Sequence, residues 1–231
     1  MRFEVAAAGR TLAAAMPSDA GPARTLTIVI EGDGRAHDRR GRASPDPTPD
    51  RAVGLELARA WPGPAAWLGR PCQYVQDEAC GPADWTTHRF SEEAAAMTDA
   101  AVSALMSRAG AGRVVLVGWS GGGVMAALVA ARREDVAGLV TIAAPLDVAA
   151  WTRSRGLSPL RGLDPAGLPP ITAPQVHLTG AFDPVVRPAV VKETAQRLAG
   201  PQGLVATWSE RHDCCWVARV DEIAAGLDPQ P

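Results

Sequence analysis

Short apolar runs alternate along this chain with stretches whose apolar residues fall at helical spacing. Leu26-Thr27-Ile28-Val29-Ile30, Val114-Val115-Leu116-Val117, a run centred on Leu139-Val140-Thr141-Ile142, Gln175 to Gly180 and Leu204 to Trp208 each read as a strand. Arg2 to Ala8 and Arg10 to Met16, around Gly9-Arg10, read as a hairpin at a sheet edge, and Cys72 to Gln76 as a further short strand. Helices are predicted from Asp50 to Ala60, stopped by Pro62, and from Ser91-Glu92-Glu93 to about Arg108. In the second of these, the serine is the N-cap, acids fill the first turn and Gly110 is the stop. Further helices follow Gly122, run from Arg187 to Leu198, and close the chain from about Cys214 to Leu227.

This alternation implies an α/β fold: a mostly parallel, twisted sheet with helices on both faces. In such sheets, sites lie beyond the carboxyl ends of the strands. One domain is expected over residues 1–231, with no internal repeat. Leu146 to Pro174 is loop-like, and a stretch of that length suggests a small cap-like insertion at about 146–174.

Composition narrows the classes. With 47% hydrophobic and 21% charged residues the chain is globular rather than disordered. A formal net charge of −2 gives no footprint for nucleic acid or an anionic membrane, and no apolar run has the length of a membrane span. The first ten residues, cut by Glu4 and Gly9-Arg10, do not read as a signal peptide. The chain as written is therefore expected in the cytoplasm, or in the periplasm or outside the cell if a leader precedes it. Four cysteines form two local pairs, Cys72 with Cys80 and Cys214 beside Cys215. Cys72 and Cys80 could close a short loop in an oxidising compartment; otherwise all four are buried thiols. Neither pair has the spacing of a zinc site. Oligomeric state has no signature in the sequence.

The chemistry concentrates at Gly118-Trp119-Ser120-Gly121-Gly122, between a buried strand and a helix-forming run. This is the G-x-S-x-G nucleophile elbow in its required context: Gly118 and Gly122 give the tight turn its room and Ser120 stands at its tip. A serine hydroxyl needs a base that is itself oriented by a third group. Of four histidines, His37 and His88 lie in loops and His177 alternates with apolar residues in a strand. His212, after the last strand, is the base candidate. Asp183, held extended by Pro184 just after a strand, is the acid candidate; Asp147 is its rival, and Asp164 ranks below both. Two amides should form the oxyanion hole, those of Gly121 and Asp33, with Gly34 close behind. A carboxylate there would oppose the oxyanion, so the Asp33 side chain must point away or be neutralised, with Arg35 the nearest candidate.

These motifs make the chain resemble the α/β-hydrolases from about Leu26 onward. The segment Gly180-x-x-Asp183-x-Val185-Val186 and the late His212 follow the order seen there. Ile30-Glu31-Gly32-Asp33-Gly34 departs from the His-Gly form common in that superfamily and resembles a subgroup of bacterial hydrolases, often exported or lipid-anchored. In that comparison the cysteines around 72 to 80 would pair outside the cytoplasm. The resemblance implies a serine hydrolase of acyl esters acting through an acyl-enzyme, with a small-molecule substrate and no cofactor or metal. Thioester or amide cleavage on the same triad, or a catalytically silent binding protein, are the alternatives. Trp61, Trp67, Trp85 and Trp119 are candidates for an acyl pocket or for core packing.

Overall fold

The computed structural model describes residues 1–17 and 22–227. Its strands are β1 (Arg2–Ala7), β2 (Arg10–Ala15), β3 (Thr25–Ile30), β4 (Ala65–Leu68), β5 (Arg113–Trp119), β6 (Val136–Ile142), β7 (Gln175–Gly180) and β8 (Leu204–Trp208). They form one sheet in the order β1-β2-β4-β3-β5-β6-β7-β8. β2 runs antiparallel to both β1 and β4, and all other pairs are parallel. The helices are α1 (Val53–Ala60), α2 (Pro82–Trp85), α3 (Glu92–Ala109), α4 (Gly121–Ala130), α5 (Val148–Ser154), α6 (Pro188–Ala199) and α7 (Val220–Ala225).

Side chains sort by the two-residue period of a strand. Leu26, Ile28, Ile30, Val114, Leu116 and Leu139 point into a core shared with α3, α4, α5 and α6. Val29, Val117, Val140, Ile142, Val176 and Leu178 point the other way, against α1, Trp216 and α7. The parallel strands are thus covered on both faces, which is why they read as apolar runs. From β3 the chain turns toward β4; from β5 it turns toward β6. Adjacent β3 and β5 therefore bound a topological switch point, where the loops after them diverge and leave a crevice. Glu31–Gly34 and Ser120 both sit there.

The edge hairpin forms as expected, with Ala8 and Gly9 both at positive φ (49° and 79°) as a two-residue type I′ turn requires. Ser91 caps α3 by accepting from the Ala94 amide at 3.2 Å, and Gly110 ends it in the left-handed region. Three predicted elements differ. Cys72 to Gln76 is a turn, with Cys72 and Tyr74 at φ 65° and 64°, and the strand next to β3 is instead β4. β4 lies between β2 and β3 and is buried throughout, so it carries no polar alternation to announce it. The 146–174 segment is not all loop: α5 occupies its first part, and a 3₁₀ turn spans Pro165–Gly167. Its middle is tied to the loop before α3 by Arg161 N–H to Thr87 O (2.7 Å) and Leu163 N–H to Phe90 O (2.8 Å). The closing helix starts late: Cys214 and Cys215 are bonded to each other, and a 3₁₀ turn (Trp216–Arg219) precedes α7.

Candidate active site

Ser120 occupies the turn between β5 and α4 with φ 54° and ψ −127°, a strained backbone for a residue with a side chain. A Cβ on Gly118 would overlap the Gly122 carbonyl, and one on Gly122 the Ile30 carbonyl, so both positions need glycine. The Ser120 amide donates to Ile142 O (2.8 Å), and all ten residues of α4 are buried. The elbow is therefore anchored in the core on both sides.

The structure brings the three predicted side chains into one hydrogen-bonded line. His212 Nε2 lies 3.0 Å from Ser120 Oγ, and His212 Nδ1 lies 2.8 Å from Asp183 Oδ2. An ionised carboxylate only accepts, so Nδ1 carries the proton and Nε2 is left to accept from the serine. Asp183 is fully buried on its side-chain atoms, and its Oδ1 accepts from the amides of Val185 (2.7 Å) and Val186 (2.8 Å). The His212 carbonyl accepts from the indoles of Trp119 (2.9 Å) and Trp216 (3.1 Å). Trp119, next to the serine in sequence, thus also fixes the histidine loop.

The competing residues are used elsewhere. Asp147 caps α5 by accepting from the Ala150 amide (2.7 Å), and Asp164 accepts from the amides of Val148, Ala149 and Ala166. His177 is buried between Thr141 Oγ1 (2.7 Å) and Gln175 Oε1 (3.1 Å), and burial pulls its pKa down to about 4. His37 pairs in a short bridge with Ala43, and His88 contacts Thr87 Oγ1 at 3.1 Å.

Among the described residues, neither the Asp33 nor the Gly121 amide donates to a protein acceptor. The Asp33 carboxylate lies over the Gly121 Cα, where an added Cβ would overlap it. Its neutralising partners are not Arg35, which turns to Thr48 O (3.1 Å) and Asp50 (3.3 Å) at the surface. They are Arg70, at 3.0 Å from Oδ1, and Arg89, at 2.8 Å from Oδ2, both buried. Burial alone would raise the Asp33 pKa, but the charges of Arg89 and then Arg70 outweigh it and hold the group below its usual range.

Two more residues shape this loop without a local signature. Glu31 is fully buried, and its carboxylate accepts from the amides of Gly32 (3.1 Å), Gly54 (3.0 Å) and Leu55 (3.3 Å) and from the Trp67 indole (2.9 Å). Burial raises its pKa, opposed by those donors. Gln73 donates to Gly32 O at 2.9 Å. Cys72 and Cys80 are joined in a disulfide within the stretch that carries Arg70 and Arg89. Of the tryptophans, Trp61, Trp67 and Trp85 are core residues; Trp61 and Trp67 border a cavity of about 330 Å³ together with Met1, Met16 and Leu55. Only Trp119 stands beside the serine. Among the described residues no cluster of three or more His, Cys, Asp or Glu is arranged for a metal, and no helix is long and apolar enough to cross a membrane.

No family model matches the chain, and no curated protein matches it. Solved structures do. Est1E from Butyrivibrio proteoclasticus, solved with ferulic acid bound, superposes with a TM-score of 0.69 at 14% identity, covering 97% of this chain and 98% of that one. An esterase from Pyrococcus furiosus gives a TM-score of 0.67 at 14% identity over 98% and 90% of the two chains. An alpha/beta serine hydrolase homologue from Coxiella burnetii gives 0.60 at 18% identity over 98% and 95%. This chain has the α/β-hydrolase fold. Within that fold β1 and β2 are the antiparallel edge, and the line from Ser120 to Asp183 spans the carboxyl ends of β5, β7 and β8.

Proposed function

We propose that the protein is a serine hydrolase of carboxylic esters. The observation that carries this reading is the unbroken line Ser120 Oγ, His212, Asp183, with the Gly121 amide directly after the serine and, like that of Asp33, donating to no protein acceptor among the described residues. Ser120 attacks the ester carbonyl while His212 Nε2 takes its proton, and Asp183 holds the imidazole in the needed tautomer and balances its charge. The tetrahedral oxyanion is bound by the Gly121 and Asp33 amides. Collapse expels the alcohol, protonated by His212. Water, deprotonated by the same histidine, then releases the acid from Ser120. The esterases among the structural neighbours support an ester substrate. Phe182, exposed in the loop after β7 next to Asp183, is a surface offered to the acyl chain, and the 146–174 segment, tied to that loop by Arg155 Nη1 donating to Pro184 O (2.7 Å), serves as the specificity insertion. Turnover of p-nitrophenyl esters of increasing acyl length tests the reading: wild type releases p-nitrophenol and Ser120→Ala loses at least about 10⁴-fold in kcat. Equal turnover by both proteins would refute it.

A further inference from the structure

Asp33 poses a problem for any reaction that builds negative charge at Gly121. Its carboxylate lies against the Gly121 Cα, one bond from the amide that follows the nucleophile. With its side chain only 16% exposed, such a charge is weakly screened and acts strongly on its neighbours. Each of its oxygens instead meets a different guanidinium, Arg70 at 3.0 Å and Arg89 at 2.8 Å. Both arginines are themselves anchored. Arg70 Nη2 donates to the Arg89 carbonyl, and Arg89 Nε to the Thr86 carbonyl at 2.8 Å. Arg70 N–H is further held by Gln73 Oε1, whose amide nitrogen donates to Gly32 O (2.9 Å), the carbonyl just before Asp33. Two cations thus face one anion, and the same small network fixes the peptide that presents the Asp33 N–H.

We propose that Arg70 and Arg89 are positioning residues of the oxyanion hole: they act through Asp33, masking its charge and aiming its amide. The proposal rests on the reading of Ser120 as nucleophile. It makes a prediction that a packing role does not. Removing one guanidinium unmasks a carboxylate against the oxyanion, and removing the carboxylate's charge as well relieves that opposition. The damage of one substitution is therefore reversed by the other.

The experiment is a double-mutant cycle on p-nitrophenyl acetate with Arg89→Met, Asp33→Asn and the pair. Arg89→Met is expected to lower kcat about 10- to 100-fold with KM within about twofold, the signature of an interaction made only in the transition state. Arg89→Met/Asp33→Asn should regain about fivefold or more of that loss, a strong coupling for residues in contact. Inhibition by a boronic acid, which binds as a tetrahedral anion, should weaken and recover in step with kcat. If Arg89→Met does not fold, Arg70→Met closes the cycle, with a loss that Asp33→Asn again reverses. Losses that add or deepen in the double variant, or an unchanged kcat in Arg89→Met or, in its place, Arg70→Met, overturn the proposal. Turnover surviving in Ser120→Ala would instead overturn the nucleophile assignment, so the two failures are distinct.

Discussion

His177 and His212 are the same side chain put to opposite uses by their surroundings. His212 lies beside the crevice with a carboxylate on one nitrogen and a hydroxyl on the other. His177 is 1% exposed, with a threonine and a glutamine as neighbours and a pKa pulled down to about 4 by burial. The unfolded chain therefore binds this proton more readily than the native one between about pH 6.5 and 4. Stability from His177 is complete above the unfolded value and is lost as pH falls toward the folded one. Urea unfolding should show about 2 kcal/mol less stability at pH 5 than at pH 7 from this group, and a His177→Gln variant should show a shallower pH slope. An identical slope in that variant would remove the argument. Ser120, Asp183 and His212 were legible in the sequence because each follows a readable strand with a local signature: flanking glycines, a proline, a last strand. Arg70 and Arg89 carry none. They meet Asp33 across 37 and 56 positions, and the nearer Arg35 was the natural but mistaken choice.

At the scale of elements, the β5-turn-α4 unit was readable because tight glycine packing and an apolar run leave few other conformations. β4 and α5 were not. The first is four residues with no alternation, and the second is a short helix among prolines and glycines whose start depends on Asp147 and Asp164 as caps. Glu31 joins three elements that sequence spacing keeps apart. It directly follows β3, supplies acceptors to the first turn of α1, whose own N-cap residue Ala52 offers no side-chain cap, and holds Trp67 of β4. Glu31→Gln puts an amide donor where only donors converge. It is expected to cost about 2–4 kcal/mol in chemical denaturation, as breaking a buried, fully satisfied carboxylate does. A loss under about 0.5 kcal/mol would mean that the site relaxes freely and Glu31 does not organise it.

For the whole molecule, the doubly covered sheet follows from apolar runs, and its switch point puts the Glu31–Gly34 loop and Ser120 side by side. The stretch from Arg70 to Arg89 is the least regular part around the site, and the Cys72–Cys80 disulfide braces it. With a separation of eight residues, loss of this bond in Cys72→Ser/Cys80→Ser should destabilise by about 2–3 kcal/mol, read as a lower thermal midpoint. An unshifted midpoint would show that the native loop holds without it. The central claim is that the whole fold converges on one reactive hydroxyl, and covalent labelling by a fluorophosphonate tests that most directly. The expected result is a single adduct, mapped by mass spectrometry to Ser120 and absent from Ser120→Ala. No adduct on the folded wild-type protein, or equal labelling of the alanine variant, would contradict it.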